Sequence, residues 1–248
     1  MIEGLDPAPV SIRRNPRRLD WRSPLSCPSL ITSPAACLFD LDGLLLDTEP
    51  LHGRGWAEAA AHFGGELNQE QLLQLKGRRR QDCAEQVNAW LPSPVGTTAL
   101  LDIQQPIVRA LLPDARAMPS AEKLVRHCWE VGIPMALVTS SSHEAVAFKA
   151  RPHPWLALIQ ERVYGDDHEL QAGKPDPAPY QLAAERLGQP TRSCWAFEDS
   201  QAGTESAHRA GCQVWVLTPD PPHEHPPSNP CRIPDLGVVL DQLINTVG

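Results

Sequence analysis

A chain of 248 residues fits one sizeable domain, or a core domain carrying a smaller inserted one. With 42% apolar and 21% charged residues it has the ordinary composition of a soluble globular protein. Its 22 Lys and Arg against 30 Asp and Glu give a net charge of −8, which would repel a polyphosphate backbone and excludes nucleic acid as the expected partner.

The first 33 residues stand apart. Five arginines (Arg13, Arg14, Arg17, Arg18, Arg22) and five prolines face only Glu3, Asp6 and Asp20, a local balance of +2. Few apolar groups are available to offset the entropy of ordering, so a flexible Pro/Arg-rich extension is expected over residues 1–33.

From residue 36 onward, short apolar runs alternate with amphipathic stretches. The runs are Ala36–Phe39, Met135–Val138, Arg162–Tyr164, Cys194–Phe197 and Val214–Leu217, each too short for a buried helix and bounded by Gly, Pro or polar clusters. Helical patterns over Ser120–Val131, Pro177–Leu187 and Gln201–Ala210 separate the later ones. This alternation predicts an α/β fold: a Rossmann-like, doubly wound parallel sheet with helices on both faces. About 95 residues separate the first two strands and hold helical segments near Leu51–Phe63, Asn68–Leu75, Arg80–Trp90 and Ala99–Leu112. A single crossover needs only a dozen or so residues, so an inserted helical domain is expected.

The polar residues that matter follow the apolar runs. The first ends in Asp40-Leu41-Asp42-Gly43, the second in Thr139-Ser140-Ser141-Ser142 and the fourth in Glu198-Asp199-Ser200; Lys174 follows the third in Gly173-Lys174-Pro175-Asp176. In an open parallel sheet the carboxyl ends of the strands line the ligand crevice. Four carboxylates gathered there would repel one another and raise each other's pKa values. A hard divalent cation such as Mg²⁺, which takes oxygen ligands and substrate phosphate oxygens, resolves that conflict. A lysine beside hydroxyl and backbone N–H donors suits a phosphate dianion. Taken singly, an Asp ending a strand is as often a turn former or a helix cap. The four groups in this order argue for a site.

These segments resemble the haloacid-dehalogenase superfamily, in its branch of helical-cap phosphatases and β-phosphoglucomutases. Phe39–Glu49 is similar to the first motif, Leu137–Ser141 to the second, Lys174–Pro177 to the third and Phe197–Gly203 to the fourth. The resemblance implies that Asp40 is the nucleophile forming an aspartyl-phosphate and that Asp42 is the proton donor and then the base. It implies a Mg²⁺ ion held by Asp40, the backbone carbonyl of Asp42, Asp199 and Glu198, and phosphate held by Thr139, Ser140, Ser141 and Lys174. It places a core domain at residues 34–49 and 114–248 and a cap at 50–113. His52 matches a cap-hinge histidine. Arg80, in Lys76-Gly77-Arg78-Arg79-Arg80, matches a position that meets a distal anionic group.

The expected activity is hydrolysis of a small phosphorylated metabolite, a sugar phosphate or similar phosphomonoester. The alternative is a sugar-phosphate mutase of the β-phosphoglucomutase type. Against the mutase, Leu101–Val108 has no lysine where that enzyme holds a second phosphate, and it contains Pro106. Trp56 is read as packing, Cys194 and Cys212 as small core residues, and Ser120 as a helix N-cap standing where the family has glycine. Gly53 and Gly55 have no functional account, and His223-Glu224-His225 reads as chance spacing in a Pro-rich loop. Seven scattered cysteines without a C-x-x-C pair suit a reducing compartment, and no apolar run reaches the length of a membrane span or a signal peptide. A cytoplasmic monomer without membrane partners is expected.

Overall fold

Ala36–Phe39 (β1) carries no polar side-chain atom, and all four residues are fully buried, as the central strand of a sheet covered on both faces must be. In a computed structural model, which describes residues 33–218 and 229–247, β1 lies third in a six-stranded parallel sheet. The other strands are β2 (Met135–Val138), β3 (Glu161–Val163), β4 (Cys194–Glu198), β5 (Gln213–Leu217) and β6 (Cys231–Ile233), in the order β3-β2-β1-β4-β5-β6. Residues 1–32 and His223-Glu224-His225 lie outside the described residues.

Nine α-helices are described: α1 (Glu49–His62), α2 (Gln69–Leu75), α3 (Arg80–Trp90), α4 (Thr97–Leu111), α5 (Ala121–Glu130), α6 (His143–Ala150), α7 (Ala178–Arg186), α8 (Gln201–Ala210) and α9 (Gly237–Val247). Alternate strand residues face opposite layers. Ala36 and Leu38 join Tyr180, Ala183 and Ala184 of α7 and Ala207 and Ala210 of α8 in one cluster. Cys37 points the other way, with its Sγ 3.9 Å from that of Cys128 on α5, which in turn packs against α9. The sheet is therefore doubly wound.

Helices α1–α4, all between β1 and β2, bury a second apolar cluster built on Trp56, Ala59, Ala60, Leu75, Cys83, Ala84, Val87, Leu91 and Leu100. Asn68 starts α2 with a reciprocal capping box: its side chain accepts from Gln71 N–H at 2.9 Å, and its own N–H donates to Gln71 Oε1 at 3.0 Å. Gly55 now has a reason, because a Cβ there would lie 2.3 Å from Val108 Cγ2, so its absence lets α1 and α4 approach closely. Helix α4 runs through Pro106 without ending. Ser120 corrects its reading as a side-chain cap. Its φ of 62° is left-handed, which explains why glycine suits the position, and its hydroxyl donates to Asp235 at 2.9 Å instead of capping α5.

Candidate active site

The strand order reverses between β1 and β4, and the site lies at their carboxyl ends, where a doubly wound sheet opens a crevice. The register pairs Phe39 with both Leu137 and Phe197, so Asp40 and Glu198 leave the sheet at the same height. The Phe39 and Phe197 rings stack 4.7 Å apart just below.

Lys174 enters from the loop after β3, behind a cis Lys174–Pro175 bond. It is buried, and its Nζ donates to Asp40 Oδ1 at 2.5 Å, Glu198 Oε1 at 2.6 Å and the Val138 carbonyl at 2.9 Å. Glu198, fully buried, also accepts from the Tyr180 hydroxyl at 2.5 Å, the Ser200 hydroxyl at 3.1 Å and Asp199 N–H at 3.2 Å. Burial pushes the Asp40 carboxyl well above its ordinary range; Lys174 opposes this, while Glu198, Asp199 and Asp42 add to it.

Asp40, Glu198 and Asp199 each place an oxygen within 4.8 Å of the others. Asp199 Oδ1 is buried without a hydrogen-bond partner, and Oδ2 has only the ion contact with Lys76 Nζ at 2.5 Å. Burial raises the Asp199 pKa to about 6, although Lys76 pulls it down. Three clustered carboxylate oxygens, with the Asp199 carboxylate buried and without a hydrogen bond of its own, fit a hard divalent cation. The Asp42 side chain is not in this group.

Asp42 faces α6 and α1 instead. Its carboxylate accepts from Lys149 Nζ at 2.5 and 2.6 Å, from Thr48 Oγ1 at 2.5 Å and from Ser141 Oγ at 2.8 Å, and His52 Nε2 lies 3.5 Å away. Burial alone would raise its pKa, but Lys149 and His52 outweigh burial and hold the carboxyl well below the usual range. Burial also lowers the His52 pKa, against the pull of Asp42.

After β2 the chain turns tightly, with Ser141 N–H donating to Thr139 Oγ1 at 3.1 Å. Ser140 spends its hydroxyl on the Gly77 carbonyl at 2.9 Å, tying this loop to the α2–α3 connection. A cavity of about 650 Å³ opens between the strand ends and α1–α4, and Asp40, Asp42, His52, Ser140, Ser141 and Arg80 all line it. Its far wall adds Trp56 and Leu72 to the cationic Lys76, Arg78 and Arg79, a volume and lining suited to a small anionic ligand.

Sequence reasoning missed Lys149 and Tyr180, and it gave Thr48 and Ser200, which stand inside the first and fourth motifs, no role of their own. It had Lys76 in view as part of a loop but assigned it no partner. Lys149 leaves a faint signal: it is a lysine among Val146, Ala147, Phe148 and Ala150, sharing the buried side of α6 with Val146 one turn earlier.

This sheet order and these strand-end carboxylates define a hydrolase class. A family model described as haloacid dehalogenase-like hydrolase matches residues 34–211, and the chain belongs to that family. It is 35% identical to a "Probable pseudouridine-5'-phosphatase" of Drosophila melanogaster, over 75% of this chain and 81% of that one. It is 30% identical to the fructose-1-phosphate phosphatase YqaB of Escherichia coli K12, over 71% of this chain and 93% of that one. Among solved structures, CbbY from Rhodobacter sphaeroides in complex with phosphate aligns with a TM-score of 0.66 at 26% identity, covering 82% of this chain and 96% of that one.

Proposed function

We propose that the chain is a Mg²⁺-dependent phosphatase that hydrolyses a small phosphorylated metabolite, a sugar phosphate or similar phosphomonoester, through an aspartyl-phosphate on Asp40. The observation that carries this reading is the Lys174 ammonium bridging Asp40 and Glu198, with Asp199 beside them and the Thr139–Ser141 turn alongside. Asp40, the Asp42 carbonyl, Asp199 and Glu198 would hold the cation. When bound, it supplies neutralising charge both to these acids and to the phosphoryl oxygens.

In this reading Lys174, Thr139 and the Ser140–Ser141 segment orient the phosphoryl group toward Asp40. An Asp40 oxygen forms the new P–O bond as the ester P–O bond breaks, and Asp42 gives its proton to the leaving alcohol. A water that Asp42 deprotonates then attacks phosphorus, releasing phosphate and restoring Asp40. Asp42 is ionised in the resting protein, the form its second role needs, so its first role requires a proton gained when substrate binds.

Residues 50–113 act as the cap over a core of 34–49 and 114–248, and Arg80 and His52 face the substrate's organic part. Two similar proteins are named for pseudouridine 5'-phosphate and fructose 1-phosphate, which supports a phosphorylated small molecule as substrate. The absence of lysine from residues 101–108 of α4 favours water over a bound sugar phosphate as acceptor. The test is turnover of 4-nitrophenyl phosphate. Activity with Mg²⁺, reversible silencing by EDTA and loss in Asp40→Asn are expected; wild-type turnover in Asp40→Asn would refute the reading.

A further inference from the structure

Among the described residues, Lys149 is the one buried charged residue outside the four motifs, and its side chain has no solvent exposure. A buried ammonium is unfavourable unless it is paired and hydrogen-bonded. Here the pairing is specific. Nζ contacts both oxygens of Asp42, at 2.5 and 2.6 Å, and donates to Ser141 Oγ at 2.8 Å, while that hydroxyl donates onward to Asp42 Oδ2 at 2.8 Å. The ammonium, nearly equidistant from the two oxygens, fixes where the carboxylate ends, and the Ser141 hydroxyl that it holds, bonded to Oδ2 alone, resists rotation of the carboxylate plane.

The other two partners of Asp42 come from elsewhere. Thr48 immediately precedes α1 and His52 lies on it, so both belong to the hinge between core and cap. Lys149 and Ser141 belong to the core, on α6 and on the loop that leads into it. Movement of α1 would withdraw His52 while leaving Lys149 in place.

We infer that Lys149 is a positioning residue for the proton-transfer carboxylate: with Ser141 it holds Asp42 in one orientation from the core side, independently of where the cap stands. The inference rests on the role proposed above for Asp42. General acid–base catalysis matters most when the leaving group is a poor one. A displaced Asp42 must therefore slow esters of weakly acidic alcohols far more than esters of acidic phenols.

The experiment compares kcat/KM of wild type, Lys149→Met and Lys149→Arg, with Mg²⁺, on 2,4-dinitrophenyl, 4-nitrophenyl, phenyl and ethyl phosphates. In Lys149→Met the loss is expected to grow along that series, at least about tenfold larger for phenyl than for dinitrophenyl phosphate. Lys149→Arg, which keeps a cation but not its placement, is expected to fall between and serves as the test should Lys149→Met not fold. A merely structural lysine would lower the active fraction and so reduce all four rates equally. Equal loss across the series, or a wild-type slope in whichever variant folds, overturns the inference. Asp40→Asn, run alongside, separates the two claims. If it stays active the phosphatase reading fails; if it is silent while the Lys149 slopes match wild type, only the role of Lys149 fails.

Discussion

Lys174 Nζ sits 2.5 Å from Asp40 Oδ1, joining the loop after β3 to the end of β1 across 134 residues of sequence. The same ammonium satisfies Glu198, so its removal leaves two buried carboxylates without their cation. Lys174→Met is expected to lower kcat by about 10²-fold or more. It is also expected to destabilise the fold by about 3–5 kcal/mol, the usual cost of breaking one side of a buried ion pair. Denaturant unfolding and steady-state kinetics on the same preparation measure both effects.

Gly77 links the α2–α3 connection to the core. Its φ is +73°, and a Cβ on it would fall 2.0 Å from Ser200 Oγ. Gly77→Ala is expected to hold the connection off the strand ends, breaking the hydrogen bond from Ser140 to its carbonyl and slowing turnover by about tenfold or more. An unchanged kcat/KM in a folded Gly77→Ala variant would show that this contact is dispensable.

Gly55 makes a separate prediction about packing. Gly55→Ala forces a methyl against Val108 Cγ2, and overpacking of this kind costs about 1–3 kcal/mol. Thermal unfolding is expected to show a lower Tm, even though alanine is the better helix former. Gly53→Ala, where a Cβ would meet nothing within 4 Å, is expected to be stabilising or neutral.

Metal binding should depend on pH in a fixed direction. The Asp199 pKa lies at about 6, above the unfolded value of about 3.9. A carboxyl raised on folding binds its proton more tightly in the native state. Its contribution to stability is therefore full below about pH 4 and is lost as pH rises through 6. A divalent cation needs the ionised form, so Mg²⁺ affinity is expected to rise with pH through about 6, and the raised Asp40 carboxyl acts in the same direction. Metal-induced shifts in Tm at pH 5, 6 and 7 check this; a shift largest at pH 5 would contradict it.

Much of the fold was legible from residue pattern. β1 and β2 fall on the residues read as strands, because fully apolar four-residue runs between polar boundaries leave little choice. β6 escaped notice: it has three residues, one of them Arg232, and no alternation to detect. α6 escaped because its apolar and polar residues are spread around the helix and show no face. For the same reason the apolar neighbours of Lys149 are only a faint signal, and its burial becomes evident once Asp42 is found to meet it. Asp40, Thr139, Glu198 and Asp199 were easier to find, because each stands at the end of an apolar run and the sheet itself brings them together, whereas Lys174 arrives from a loop well after β3. Glu198 shows the limit of that reasoning. It was expected only as a metal ligand, yet it also accepts from Lys174, Tyr180 and Ser200.

Chemical trapping of the covalent intermediate tests the central claim most directly. The protein, mixed with Mg²⁺ and 2,4-dinitrophenyl phosphate and quenched in acid within milliseconds, is digested and its peptides are weighed. A phosphoryl adduct on the peptide containing Asp40, absent in Asp40→Asn and longer-lived in Asp42→Asn, is the predicted result. Rapid turnover with no adduct on that peptide, or an adduct on another residue, would contradict the account.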